Sequence, residues 1–222
     1  IRASRVDPPR KLARLAADSG VEVFVGASAV GYYGTDAGSV PRTEADGPGE
    51  GFLAEVCDAW EDAANVDGVR SVHIRTGLAL SSAGGLLPVL KASVNAGLTA
   101  QFGRGDFWMS WVALDDLTDF YMRALLDKTV SGPVNATAPE PVTNAEMSST
   151  LARLLRRPDL FPIPTFGPKL LLGKEGAHEL ALADQRVLPT VAAEHGWRLR
   201  YPTLDAALRH ELGREQLLVS QA

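Results

Sequence analysis

The sequence predicts an α/β fold: a layer of parallel strands with helices packed on it, followed by a mostly helical segment. Three observations predict it. Short β-branched or aromatic runs at Val21–Val25, Val69–Thr76 and Pro133–Thr137 alternate with apolar stripes of helical period. Strands alternating with helices are joined by right-handed crossovers and so run parallel. After residue 140 the alternation gives way, and a capping box opens a helical stretch.

The elements follow in chain order. Ile1–Val6 reads as helix interior, and Asp7-Pro8-Pro9 as its interruption. Leu12, Leu15 and Ala16 recur at helical spacing until Gly20 stops them. The Val21–Val25 strand leads into residues 31–51, a glycine- and proline-rich stretch that reads as a long surface loop of the kind often used for function. Leu53, Val56, Cys57, Trp60, Ala63 and Ala64 mark one face of the next helix, with Glu55, Asp58 and Asp62 mostly off it. The Val69–Thr76 strand precedes a helix carrying Leu86, Leu87, Leu90 and Val94, which Gly97 ends. Ser110–Leu114 is a short strand. Asp115 or Asp116 caps the helix whose core face is Leu117, Phe120, Tyr121, Ala124 and Leu125.

Beyond the Pro133–Thr137 strand, Thr143-Asn144-Ala145-Glu146 forms a capping box, with Val142 and Met147 as a hydrophobic staple. Its helix shows Met147, Leu151, Leu154 and Leu155. Phe161–Pro168, with its prolines, is a linker or loop, and the remainder reads as mostly helical with a short Trp197–Tyr201 strand. Thr203 caps a last helix carrying Leu204, Ala207, Leu208 and Leu212.

Composition narrows function. At 222 residues the chain holds one or two domains, and 45% apolar residues suffice for a core. Lys and Arg number 22 against 27 Asp and Glu, a net charge of −5, which argues against the basic footprint of a nucleic-acid binder. The single cysteine, Cys57, excludes an internal disulfide and a cysteine-rich zinc site. It fits a reducing, cytoplasmic setting. No apolar run approaches the ~20 residues of a membrane span.

Three segments carry candidate chemistry. Gly26-Ala27-Ser28-Ala29-Val30-Gly31-Tyr32-Tyr33-Gly34 lies at the carboxyl end of the first strand, where open α/β sheets bind ligands. Its small residues admit a ligand to the backbone and Ser28, Tyr32 and Tyr33 bring hydroxyls; alternatively it is a turn with tyrosines packed on it. Arg75-Thr76-Gly77 ends the second strand, and a buried Arg75 requires a carboxylate or a ligand, as a site or as a structural ion pair. The Gly103–Trp111 block offers Arg104, Trp108 and Trp111 either as walls of a pocket for a planar or sugar-like group or as core anchors. His73, His178, His195 and His210 match no metal spacing, so no metal site is expected. His73 reads as structural and Cys57 as a buried thiol. Helix capping accounts for Asp115-Asp116 more simply than a catalytic pair.

Taken together, several blocks in order resemble the extended short-chain dehydrogenase/reductase superfamily, and within it the NAD-dependent epimerase/dehydratase-like "epimerase family" with its own C-terminal domain (DUF1731-like). They are Ser28–Gly34, Phe52–Cys57 with Trp60-Glu61, Trp108–Trp111, Gly132–Pro139 and Val142–Glu146, with Gln185–Pro189 and Tyr201–Leu204 for the C-terminal domain. The resemblance spans essentially the whole chain. It implies the C-terminal half of a Rossmann-like sheet over residues 1–140 and a small, mostly helical domain over 141–222.

The resemblance further implies NADP(H) or NAD(H) as cofactor, with a lean to NADP, and a small-molecule partner such as a nucleotide sugar or other carbonyl compound. Nucleic acid and membrane are not expected partners. By the same likeness Ser28 hydrogen-bonds the substrate oxygen, and Tyr32 or Tyr33 serves as acid/base. Ala27, Ser28, Arg75, Thr76, Gly77 and Leu78 adjoin the nicotinamide end, while Arg104, Trp108 and Trp111 line the substrate pocket.

Two departures qualify the likeness. The family's opening strand and GxxGxxG turn have no counterpart, so Ile1 falls in the helix before the central strands; were the chain complete, Val21–Val25 would be an exposed apolar sheet edge, and that hazard favours a fragment. Anchored on Glu61, the superfamily's catalytic Tyr and Lys positions hold Leu53 and Cys57, and a leucine cannot move a proton. Ala113 stands where relatives tend to carry a histidine. The rival expectations are therefore a catalytically impaired NADP-binding or regulatory protein, and a truncated fragment without its own cofactor site.

Overall fold

The computed structural model describes residues 1–102, 104–157 and 184–215. The Phe161–Pro168 linker, His178 and Gly103 lie outside the described residues. Helix α1 (Arg2–Asp18) runs unbroken through Pro8 and Pro9, where the sequence suggested an interruption. The carbonyls deprived of a donor, those of Ser4 and Arg5, belong to exposed residues, a setting in which solvent can make up for the lost bonds. The helix is held by Val6 and Ala13, two turns apart and both buried. Leu12 and Leu15 instead face out, 55% and 61% exposed.

Strands β1 (Val23–Ala29), β3 (Arg70–Thr76) and β7 (Gly132–Ala136) form the central sheet in the order β1-β3-β7, all parallel. Helix α2 (Phe52–Ala64) connects the first two strands, and α4 (Leu114–Leu126) precedes the third. β4 (Leu78–Leu80) continues from β3 and pairs in parallel with β6 (Trp111–Ala113). β5 (Trp108–Met109) pairs antiparallel with β8 (Val142–Thr143). Helix α3 (Leu86–Asn95) ends before Gly97, whose φ of +83° is a left-handed stop that favours glycine. Helix α5 (Asn144–Leu155) begins at the expected capping box: Thr143 accepts from the Glu146 amide while Glu146 reaches back to the Thr143 amide.

Three expectations change. Part of the 31–51 stretch is ordered as β2 (Asp36–Arg42), which pairs in parallel with β9 (Asp184–Val187) through an irregular register. The partner strand is so distant in sequence that no local signal announces it. No strand forms at Trp197–Tyr201, because the Asp116 carboxylate accepts the Arg200 and Tyr201 amides there at 2.6 and 3.0 Å. That is also why Asp116 does not cap α4, whose N-cap is Ala113. The described C-terminal part carries β9, a short α6 (Thr190–Glu194) and α7 (Leu204–Glu211), the last capped by Thr203 as expected.

The larger core draws on both sides of residue 140: Leu80, Leu87, Leu90 and Trp111 pack with Met147, Leu151 and Leu208. A second core lies between the sheet and α4, with Val72, Ile74, Phe120, Ala124 and Val134 joined by Trp197. A third and small one, Tyr32, Tyr33, Cys57 and Val187, sits at the carboxyl end of the sheet. Among the described residues no helix is long and apolar enough to cross a membrane.

Candidate functional site

Parallel register aligns side chains of neighbouring strands on one face. Here it aligns Ser28 with Arg75 and Arg75 with Asn135, so one polar row crosses all three central strands near their carboxyl ends. All three residues are buried, and a buried polar row needs partners. Helix α2 and the 3₁₀ turn Val30–Tyr33 after β1 supply them.

From α2 comes Glu61, buried on the same side as Ala54, Cys57 and Ala64. Its carboxylate accepts Arg75 Nε and Nη2, both at 2.8 Å, and the Ser28 hydroxyl at 2.6 Å. The remaining Arg75 amino group donates to the Tyr33 hydroxyl at 2.9 Å, and Tyr33 donates onward to Asn135 Oδ1 at 2.8 Å. Arg75 Cζ lies over the Tyr32 ring, 3.4 Å from its centre, and Tyr32 meets Tyr33 edge to face. Every member of the row is thus satisfied, the condition under which a buried ion pair is tolerated.

The electrostatics follow from burial and from that pairing. Burial alone disfavours the charge on Arg75, but Glu61 and Tyr33 outweigh it and hold the guanidinium pKa above its ordinary value. Burial pushes the Tyr33 phenol up to about 12 despite the opposing pull of Arg75. Tyr32 is also raised, by burial first, with Arg75 again opposing. Cys57 is pushed up to about 11 by burial, reinforced by Glu61, so its thiol stays protonated near neutrality. Leu53 and Cys57 pack against Gly31 of the 3₁₀ turn.

The C-terminal segment closes the site from outside. Ser110 donates to the Gln185 carbonyl and accepts the Val187 amide, each at 2.8 Å. Gln185 Nε2 donates to the Val30 and Gly34 carbonyls on either side of the tyrosines. Asn135 Nδ2 donates to the Leu188 carbonyl at 3.0 Å. Glu44 gathers the amides of Asn135, Thr190 and Val191. Gly49 lies so close to Tyr33 that a Cβ would stand 2.1 Å from the Tyr33 carbonyl oxygen.

The structure therefore brings Ser28, Tyr32, Tyr33 and Arg75 into one cluster. Exposed Ala27 and half-buried Thr76, Gly77 and Leu78 lie at the adjoining strand ends. Gly77 lets the chain pass Ser110, whose carbonyl oxygen would be 2.4 Å from an added Cβ. Trp108 is half-buried beneath the Arg186 guanidinium. Arg104 stands apart, exposed and paired with Asp106. Trp111 is fully buried in the larger core, its Nε1–H donated to the Glu140 carbonyl, and so supports this region from behind.

Glu61, Asn135, Glu44, Gln185 and Arg186 were not singled out as site residues from sequence. Glu61 carried a signal, a charge at the apolar spacing of α2. The others depend on contacts remote in sequence. Among the described residues no cluster of His, Cys, Asp and Glu is placed to hold a metal.

Comparison with known proteins adds to this geometry. A family model described as "Domain of unknown function (DUF1731)" matches residues 163–211. An epimerase family protein of Mycobacterium bovis is 39% identical over 211 residues, covering 94% of this chain and 69% of that protein. Among solved structures, the nucleoside-diphosphate sugar epimerase from Corynebacterium glutamicum superposes with a TM-score of 0.82 at 45% identity, over 98% of this chain and 43% of that one. The human epimerase family protein SDR39U1 (isoform 2), crystallised with NADPH, gives 0.90 at 27% identity, over 97% of this chain and 74% of that one.

Proposed function

This chain belongs to the epimerase family of the short-chain dehydrogenase/reductase superfamily, and from that premise we propose that it serves an NAD(P)-dependent oxidoreductase or epimerase-like reaction at a hydroxyl- or carbonyl-bearing carbon of a small substrate. The observation that carries the reading is the polar row Ser28–Arg75–Asn135 with Tyr32 and Tyr33 upon it, at the carboxyl ends of parallel strands. NADPH stands in the structure of the human relative. The described residues fit one end of such a cofactor: exposed Ala27 and half-buried Thr76, Gly77 and Leu78 offer the nicotinamide end a seat of small groups. The glycine-rich turn that would take the pyrophosphate is not among them. When bound, the cofactor supplies hydride-transfer chemistry.

The chain's own residues would hold the substrate oxygen and its proton. Ser28 commits its hydrogen to Glu61 and keeps lone pairs for a substrate hydroxyl. Glu61 cannot drift, because two N–H groups of Arg75 fix it. Tyr33 already spends its proton on Asn135, and a phenol near pKa 12 is a reluctant acid, so Tyr32 is the better placed proton donor. Trp108 would border the substrate, whereas Arg104, exposed and paired with Asp106, would not reach it, and a cytoplasmic setting suits the cofactor. The test is turnover of NADPH and NADH against a panel of carbonyl compounds that includes nucleotide sugars. Ser28→Ala combined with Tyr32→Phe should lower turnover by about 10²-fold or more. Unchanged turnover in that double variant would remove the assignment.

One observation favours a second reading, an NADP-binding protein without turnover. Anchoring the superfamily's pattern on Glu61 puts Leu53 and Cys57 at its Tyr and Lys positions, and neither a leucine nor a thiol that burial keeps protonated fills those roles. NADPH binding with no turnover across the panel selects it, and absence of binding leaves neither.

A further inference from the structure

Strand β3 binds α2 through three successive inward side chains. Ser71 donates its hydroxyl to the Ala64 carbonyl at 3.1 Å, His73 Nε2 meets Asn65 Oδ1 at 2.9 Å, and Arg75 holds Glu61. Alternate residues of a strand share one face, so the three form one seam along the helix. His73 is the middle member, and the one whose charge changes near neutral pH. It is only 3% exposed. An amide oxygen can only accept, so Nε2 carries the imidazole hydrogen. Nδ1 is then bare, shut off from solvent and without a hydrogen-bond partner among the described residues. The strands on either side give it none, since its register partners are Gly26 on β1 and Pro133 on β7.

An imidazolium donates from both nitrogens, and the seam offers one acceptor. A desolvated N–H left without an acceptor is costly. Burial, the largest influence, holds the His73 pKa below its ordinary 6.5; Glu61 and Asp62 of α2 pull it up and Arg75 of β3 pushes it down. The residues facing it from β1 and β7 carry no charge. We infer that His73 is an acid-sensitive latch between β3 and α2: a proton on Nδ1 creates a buried N–H without an acceptor and releases the last turn of the helix. Glu61 lies about one turn before Asn65, so what loosens that turn also loosens the carboxylate that holds Ser28 and Arg75. The latch rests on the packing of α2 against β3 and goes beyond the reaction proposed above, whose failure would leave it standing. The unfolded chain takes the proton near the ordinary value, and the native fold only below it. The stability that neutral His73 contributes is therefore whole above pH 6.5 and is lost as pH falls from there toward the native value.

The test is urea unfolding of the full chain at about pH 7.5 and about pH 5.5, beside His73→Gln, which keeps a donor for Asn65 but takes up no proton. One proton, one pH unit below the ordinary value, changes the folding constant by a factor approaching about tenfold. Over that interval wild type should lose about three- to tenfold more of its folding constant than His73→Gln, because the other histidines are common to both. Asn65→Asp, whose carboxylate would hold the imidazolium, should shrink the wild-type loss. Amide exchange, corrected for its intrinsic pH dependence, should show the last turn of α2 losing protection at the lower pH while α4 keeps its own. NMR titration of the imidazoles reads the folded wild type alone, and there His73 should titrate below 6.5. The inference is overturned if His73 titrates at or above that value, if wild type and His73→Gln lose stability equally, or if α2 and α4 lose protection together.

Discussion

Glu61 is the residue on which the buried row turns. It holds Arg75 with two bonds and Ser28 with a third, in a place where both charges are almost wholly removed from water. Breaking such a pair from one side strands a buried charge, which costs about 3–5 kcal/mol, whereas replacing both partners with apolar residues of similar volume is often near neutral. Glu61→Leu alone should therefore cost about 3–5 kcal/mol in urea unfolding, and Glu61→Leu with Arg75→Met should recover most of that loss. Additive costs in the double variant would show that the pair is not the coupled unit described. The same residue marks the limit of legibility at this scale. Arg75 at a strand end already demanded a partner, and a structural ion pair was one of the two answers open to it. Which carboxylate answers depends on how α2 lies across β3, and that is a tertiary fact.

At the scale of the element, regular pieces with local punctuation were legible. The capping box at Thr143, the stop at Gly97 and the Thr203 cap all depend on neighbours within a few residues. Elements whose partners are remote were not. β2 contains glycine and proline and lacks an apolar alternation, so it reads as loop until β9 lies beside it. Trp197–Tyr201 has strand-forming residues, yet Asp116 captures its amides and no ladder forms. One of the tethers of β9 is the Ser110 hydroxyl, which serves both the Gln185 carbonyl and the Val187 amide. Ser110→Ala leaves both buried groups unmet, a cost of about 1–3 kcal/mol felt first in β9. Hydrogen exchange should show the Val187 amide losing protection in that variant while the amides of β3 keep theirs. Equal protection of Val187 in both proteins would mean that the ladder to β2 and the Asp184 and Gln185 contacts hold β9 without Ser110.

At the scale of the whole molecule, the central sheet ends on β1. That strand pairs with β3 on one side, and no described strand pairs with it on the other. An unpaired edge presents a row of N–H and C=O groups to any strand that arrives, and apolar neighbours make the encounter adhesive. The neighbours here are apolar: Val21 before the strand is 42% exposed, and α1, which packs beside it, turns Leu12 and Leu15 outward. Among the described strands that place of β1 follows from their order, since a strand is recognised locally and its neighbours are whichever strands remain to pair with it. The net charge of −5 opposes association only over distances that physiological salt screens to about 8 Å, so it does not protect this edge at contact. Sedimentation of this chain should therefore show association that grows with concentration and persists in salt. Val21→Lys with Leu15→Glu places charge beside the edge without touching the Ser28–Arg75–Asn135 row. It should shift the distribution toward monomer at the same concentration and leave the unfolding midpoint within about 0.5 kcal/mol of wild type, as surface changes do. Association unaltered by those two charges would move the contact to another face, such as the α4 surface where Met122, Leu125 and Leu126 are exposed.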